Sequence, residues 1–240
     1  EEVLTRQVFP WALAQGLELA PSDAAGLAAY GALLLDENER VNLTGCRTPE
    51  ELATRHLADT VPFLIELAET PACEELVDLG SGGGLPGIPL AILQPARPIL
   101  LVESTGKKCR FLERACKELG LVHVSVACAR AEDLGRAAAF RERFAVATAR
   151  ACAAFPVACE YALPLLRREG MLLAPRGPAA AAEAGEAARA LTLLGGEVVA
   201  TRPYQLPQGP AVFGMVRVRK VRPTPSSYPR PAAAIVRRPL

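Results

Sequence analysis

The chain has 240 residues, half of them hydrophobic, and its 27 basic and 26 acidic side chains leave a net charge of +1. That length suits one large domain or a domain with an extension, and the near-zero charge excludes a general electrostatic grip on nucleic acid, so such a partner must meet a local patch. No run of about 18 apolar residues is available to cross a bilayer, and the opening Glu1-Glu2 has the wrong sign for a secretory signal; a cytoplasmic, monomeric protein off the membrane is expected.

Residues 3–70 read as helical. Leu13, Leu17 and Leu19, then Leu27, Tyr30, Leu33, Leu34 and Leu35, recur at helical spacing, and Ser22 or Asp23 can cap the second helix. The stretch 42-NLTG-45 breaks the pattern. Thr48-Pro49-Glu50-Glu51 opens another helix, with Thr48 at the N-cap and Pro49 at the first position. It carries His56 and Asp59, whose spacing predicts a structural hydrogen bond between them.

From residue 75 short apolar runs alternate with helical stretches. Strands are predicted at 76–79, 99–103, 122–127, 144–149, 171–175, 197–202 and 212–220, and helices at 88–94, 106–119, 131–139, 155–168 and 178–194. Such alternation implies parallel strand–helix–strand units. Only 203-PYQLPQGPA-211 joins the last two strands, which predicts antiparallel pairing. The tail 221–240, rich in Pro and Arg, is expected to run extended over the surface. Three segments result: helical 1–72, a sheet-based domain 73–222, and a tail 223–240. The seven cysteines (46, 73, 109, 116, 128, 152 and 159) contain no C-x-x-C and no zinc spacing. They read as buried small apolar residues of a reducing compartment, and no metal is expected.

The most informative stretch is 77-VDLGSGGGLPGIPL-90. A literal G-x-G-x-x-G runs from Gly82 through Gly84 to Gly87, the pattern of a dinucleotide site. Ligands of an open parallel sheet bind beyond the carboxyl ends of the strands, and a dinucleotide sets its pyrophosphate on a helix N-terminus. Asp78, two residues ahead of Gly80, would repel that phosphate. S-adenosylmethionine has no phosphate and carries a sulfonium and an ammonium, so the same acid becomes favourable, directly or through water. Gly80 and Gly82 then admit its methionine part to the backbone, and Leu85 walls one side. Glu103 ends the second strand, where an acid accepts ribose hydroxyls in either cofactor class. Ala131-Glu132-Asp133 follows the third strand and reads either as an adenine contact or as a helix cap.

The string 78-DLGSGGGLPGIPLAIL-93 resembles the signature loop of the GidB (RsmG) family of 16S ribosomal RNA guanine-N7 methyltransferases. Further pieces agree in order: 42-NLT-44, 56-HLADT-60, 103-ESTGKKCRFLERA-115, 130-RAED-133, 148-TARA-151, 194-LGG-196 and 228-YPR-230. The resemblance covers nearly the whole chain. It implies a class I S-adenosylmethionine-dependent methyltransferase fold, Rossmann-like, with a seven-stranded mostly parallel sheet and an N-terminal helical extension. S-adenosylmethionine would be the cofactor, S-adenosylhomocysteine the product, and 16S ribosomal RNA or a small-subunit precursor the partner. By position it places Gly80, Leu85, Glu103, Ser104, Thr105, Ala131, Glu132 and Arg150 around the cofactor. Asp78 and Arg150 would position rather than catalyse.

N7 of guanine has an in-plane lone pair and no proton, so no general base is needed, and the sequence offers no nucleophilic dyad or triad. RNA-binding candidates are Lys107 and Lys108, with Arg110, Arg114 and Lys117 on the same helix; Arg176; Arg217 and Arg219, with Lys220 and Arg222; and Arg230, with Arg237 and Arg238. The substrate-side pattern departs from the family: in 175-PRG-177 Arg176 stands in place of the lysine of the usual Lys-Gly, Val212-Phe213 replaces Arg-His, and 231-PAAAIV-236 follows Tyr-Pro-Arg. A cofactor-binding module without activity therefore stays open. An NAD(P)-dependent oxidoreductase is opposed by Asp78 and by the lack of a Tyr-x-x-x-Lys element.

Overall fold

A computed structural model describes residues 1–240. A π turn over Leu4–Val8 leads into α1 (Phe9–Ala14). Pro21 opens α2 (Pro21–Asn38), its fixed φ suiting a first helical position. The cap differs from expectation: Ala20 holds the cap position, and its N–H donates to Asp23 Oδ2 at 2.9 Å. Thr48 caps α3 (Pro49–Leu52), its Oγ1 accepting from Glu51 N at 3.2 Å. A π turn (Ala53–Leu57) and a 3-10 turn (Ala58–Thr60) then lead into α4 (Val61–Leu67).

The sheet follows: β1 (Leu76–Leu79), α5 (Gly87–Leu93), β2 (Ile99–Glu103), α6 (Gly106–Glu118), β3 (Val124–Cys128), α7 (Ala131–Arg136), β4 (Phe144–Thr148), α8 (Phe155–Ala162), β5 (Leu166–Arg176), α9 (Ala180–Glu186), α10 (Ala188–Leu194), β6 (Gly196–Gln205) and β7 (Val212–Lys220), with α11 (Ala232–Arg237) in the tail. The strand order is β3-β2-β1-β4-β5-β7-β6. The first five strands run parallel, and β7 runs antiparallel to both β5 and β6. The order reverses at β1, so a ligand crevice belongs beyond the carboxyl ends of β1 and its neighbours. Every residue of β1 and β4 is buried, as central parallel strands require.

Two expected helices change. The one running to 168 stops at Ala162, because Pro164 cannot continue it, and β5 has begun by Leu166. The one at 178–194 is two helices meeting at Ala187. One face of the sheet packs on the N-terminal helices through Leu27, Tyr30, Leu34 and Phe63; the other packs on α8 and α10 through Phe155, Cys159 and Leu191. The tail is docked rather than simply extended. Arg141 donates to Thr224 O at 2.7 Å and Tyr228 O at 2.8 Å, and Arg230 pairs with the fully buried Glu160 at 2.6 Å. A buried carboxylate requires such a partner. No helix is long and apolar enough to cross a membrane.

Candidate functional site

Between β1 and α5 the backbone turns through three left-handed glycines, Gly80 at φ 65°, Gly82 at φ 57° and Gly84 at φ 94°. A Cβ on Gly80 would stand 2.8 Å from the Cβ of Cys152, whereas one on Gly82 would meet nothing nearer than Gly80 O at 3.8 Å. The first glycine is thus fixed by packing against the segment after β4, and the second leaves open space above the loop. Glu103 joins this loop to β2. Its Oε2 accepts from Gly82 N at 3.0 Å and its Oε1 from Thr105 N at 2.8 Å, while its backbone carbonyl accepts from Cys109 Sγ at 3.2 Å. The carboxylate is therefore held by backbone amides and stays at the rim of a cleft.

That cleft, about 180 Å³, is lined by Gly80, Glu103, Ser104, Ala131, Glu132 and Cys152 among others. Glu132 is 4% exposed, and its Oε1 has no hydrogen-bond partner. The basic side chain on the wall, Arg130, stays mostly in solvent, 3.8 Å from Glu132. The cleft is thus rich in acceptors and unsuited to a phosphate. A larger hollow of about 520 Å³ lies among Glu75, Ile99, His123 and Phe140. It opens at the amino ends of β1, β2 and β4, away from the crevice that parallel sheets use, and its Arg143 already forms a bidentate pair with Glu75.

Asp78 sits differently from the expectation of a cofactor contact. It is 1% exposed and does not line the cleft. Its Oδ1 accepts from Thr148 Oγ1 at 2.6 Å, its backbone carbonyl accepts from Ser81 Oγ at 3.0 Å, and its Oδ2 abuts Gly87 at the start of α5. Burial pushes its carboxyl up to about 6, against the pull of the Thr148 hydroxyl. Asp78 therefore supports the loop from beneath. Leu85 likewise belongs to the core cluster on the N-terminal side. Thr105 contributes its backbone N–H to Glu103 and is not on the cleft wall.

Beyond β4 the site is built from charged side chains. Arg150 Nε donates to Asp59 Oδ2 at 2.6 Å, and Arg150 Nη2 donates to His56 Nδ1 at 2.6 Å. His56 and Asp59 therefore do not bond each other as their spacing predicts; both hold Arg150. Tyr204, which carried no signal in the sequence, completes the group by donating to Asp59 Oδ1 at 2.8 Å. Burial, followed by the Arg150 charge, lowers His56 to about 4, so its Nδ1 is a neutral acceptor. Tyr30 was legible only as a core residue. It is fully buried, and its hydroxyl donates to Gly83 O at 2.6 Å, tying α2 to the glycine loop.

The RNA-binding candidates separate. Lys107 is exposed and Lys108 half-buried on α6, and Lys107 borders a groove with Arg40, Arg110 and Arg114. Arg217 is committed to Glu66 at 3.1 Å and Glu69 at 3.2 Å, Arg219 reaches Glu197 at 3.4 Å, and Arg230 is spent on Glu160. Glu66 and Glu160 are buried, so two of these arginines neutralise interior carboxylates instead of facing a ligand. Arg176 is buried as well. Of the cysteines, 46, 109, 116 and 159 are buried as expected, but Cys73 and Cys128 are exposed and Cys152 lines the cleft.

Residues 23–208 match the protein-family profile described as GidB, rRNA small subunit methyltransferase G. A Chloroflexus aggregans protein named ribosomal RNA small subunit methyltransferase G is 43% identical over 240 residues, covering 100% of this chain and 98% of that one. One of the same name from Roseiflexus castenholzii is 41% identical over 225 residues, 94% of this chain and 95% of that one. Among solved structures, geranyl diphosphate methyltransferase in complex with SAM aligns with a TM-score of 0.53 at 14% identity, over 69% of this chain and 85% of that chain. At that identity the likeness is one of fold.

Proposed function

The chain belongs to the rRNA small subunit methyltransferase G family, and from this we infer that it methylates N7 of a guanine in 16S ribosomal RNA with S-adenosylmethionine as donor. Its fold is that of a class I S-adenosylmethionine-dependent methyltransferase with an N-terminal helical extension. The observation on its own residues that best supports the reading is the acceptor-rich cleft. Glu103 and Glu132, whose Oε1 accepts no hydrogen bond and has only Arg130 at 3.8 Å, suit a nucleoside with hydroxyl and amine donors and no phosphate.

S-adenosylmethionine supplies an electrophilic methyl group on a sulfonium. Guanine N7 has a free lone pair, so the chain needs no general base; its task is to hold the reactants in line, where effective concentration gives most of the gain. Glu103, with Ser104 beside it, takes the ribose, and Ala131 with Glu132 takes the adenine end. Gly82 leaves room for the methionine part, Gly80 packs the loop against the segment after β4, and Asp78 keeps the loop in place. Arg150, fixed by Asp59 and His56, positions groups on the substrate side. Residues 1–72 brace the loop, 73–222 form the methyltransferase domain, and the 223–240 tail is a structural clasp. Lys107 and Lys108 are free to meet RNA phosphate. We assign the protein to the cytoplasm, as a monomer, acting on 16S RNA or a small-subunit precursor.

The test is incubation with labelled S-adenosylmethionine and either naked small-subunit RNA or a partly assembled particle, followed by nucleoside digestion. Labelled 7-methylguanosine is expected. Its absence from both substrates, with cofactor binding intact, would favour the inactive binding module.

A further inference from the structure

Two arginines are buried in this chain, and their surroundings differ. Arg97 donates from Nε to Gln94 Oε1 at 2.6 Å, from Nη1 to Glu74 O at 2.9 Å and from Nη2 to Thr70 O at 3.0 Å. Every nitrogen has an acceptor, which makes Arg97 a structural staple. Arg176 is 8% exposed and donates from Nη1 alone, to Ala153 O at 2.8 Å. Its Nε and Nη2 are buried and have no partner. Its plane is fixed over Phe155, 5.0 Å from the ring centroid. Nε and Nη2 form the side-on edge of a guanidinium, the edge that grips a carboxylate or phosphate with two parallel bonds. A buried cation left with this edge unmatched is costly; the Phe155 ring offsets part of that cost, and no carboxylate of the chain pairs with it.

We propose that Arg176 is an internal oxyanion receiver on the substrate half of the site, and that its ligand is an RNA phosphate beside the target guanine. The proposal rests on the rRNA methyltransferase reading. Arg176 ends β5, two strands from β1, and holds the segment after β4 in which Cys152 forms the wall of the cofactor cleft. The nucleoside anchors, Glu103 and Glu132, lie on the opposite side of β1. Arginine commonly reads guanine side-on through O6 and N7, but here N7 must keep its lone pair for the methyl group. A phosphate is the charged bidentate partner that an RNA offers beside any target base. The free edge has no exposed surface, so its neighbours must shift to admit the ligand. The segment that Arg176 holds contains Ala151, a non-glycine residue at φ 50°, and such backbone strain clusters where function needs it.

The test compares wild type, Arg176→Met and Arg176→Lys, using a 16S RNA fragment that carries the target guanine and, separately, S-adenosylhomocysteine. Arg176→Met should weaken RNA binding about tenfold and reduce the salt slope by about 0.7, the value of one single-stranded phosphate contact. S-adenosylhomocysteine affinity should stay within about twofold, and Arg176→Lys should recover only part of the RNA affinity, as a point charge without the bidentate fork. Neutralising linkages near the guanine one at a time as methylphosphonates should reproduce the loss at a single linkage in the wild type and add nothing in Arg176→Met. The wild-type half of that arm uses unmodified protein and stays readable where a variant fails to fold: the absence of a single sensitive linkage beside the guanine would overturn the proposal. These are binding measurements, so they remain readable if methyl transfer fails. Loss of S-adenosylhomocysteine affinity with unchanged binding of carboxylate-free 5′-methylthioadenosine would reassign the edge to the cofactor and overturn the proposal. A lowered Tm with both affinities intact would also overturn it, as a structural role.

Discussion

Glu103 takes its hydrogen bonds from Gly82, Thr105 and Cys109, at most 21 positions away and two of them through backbone N–H groups. Arg150 is held by side chains 91 and 94 positions away, and Asp59 in turn by Tyr204 at a separation of 145. The proposed cofactor side is thus preorganised by local backbone and presents acceptors; the proposed substrate side is assembled from distant charges and presents donors. The first arrangement loses binding when a single carboxylate goes, because the loop and strand ends are otherwise set. The second has no backbone to fall back on, so removing one member leaves a buried charge without its partner.

The largest expected effect follows from that difference. Asp59→Ala removes the anion from Arg150 and the acceptor from Tyr204 together. Breaking a buried pair from one side costs about 3–5 kcal/mol, to be read from urea denaturation. Affinity for S-adenosylhomocysteine should hardly change in the protein that remains folded. A stability loss below about 1 kcal/mol would mean that Arg150 is not charge-held, and the contrast between the two sides would go with it.

Glu103→Ala should act in the opposite manner, on binding more than on stability. Lost hydrogen bonds from a charged acceptor are worth about 1.5–3 kcal/mol, or roughly 10- to 150-fold in cofactor affinity. Calorimetry with S-adenosylhomocysteine measures it, and a loss under twofold would remove the end of β2 from the ribose contact.

The same contrast explains what the sequence reveals. β1, β2 and β7 fall at the expected residues, and Glu103, Glu132 and the glycines stand at the expected strand ends, because strand pattern and loop chemistry are local properties. Glu132's open acceptor and the cleft around it are consequences of where β2 and β3 end. Tyr204 was invisible because nothing in Pro203-Tyr204-Gln205 indicates that β6 will bring it to Asp59. Arg217 and Arg230 read as surface cations because their partners, Glu66 and Glu160, are buried by packing that no spacing reports. Asp78 was located but its side chain was not: the orientation beneath the loop depends on Thr148, a strand away.

Tyr30 probes whether the local side is truly self-sufficient. Its hydroxyl is the hydrogen bond from the helical extension to the glycine loop, and Tyr30→Phe leaves Gly83 O without that donor while preserving the packing. A buried acceptor left unsatisfied costs about 1–2 kcal/mol. If the extension braces the loop, part of this should appear as a several-fold loss of S-adenosylhomocysteine affinity. If it appears only in the urea midpoint, the loop holds its shape through Glu103 alone.

Acid should move the two sides in opposite directions, by on the order of 1 kcal/mol or less each between pH 7 and 5. His56 titrates near 6.5 when unfolded and near 4 in the fold, because burial and Arg150 oppose its charge. In that window the unfolded chain takes up a proton that the native chain refuses. The His56 contribution is therefore complete above pH 6.5 and is lost as pH falls toward 4, with a magnitude reduced by its partial exposure. Asp78 is raised to about 6 from 3.8 by burial, so below pH 6 the native chain binds the proton more readily than the unfolded one, and stability from this group rises on acidification. Urea midpoints at pH 7 and pH 5 for wild type, His56→Gln and Asp78→Asn separate them. His56→Gln should lose less stability in acid than wild type, because the Arg150 cluster no longer has to exclude a proton. Asp78→Asn should lose more, because the compensating protonation under the glycine loop is gone. Deviations of the same sign in both variants would mean that one of the two groups does not hold the charge state its hydrogen bonds require.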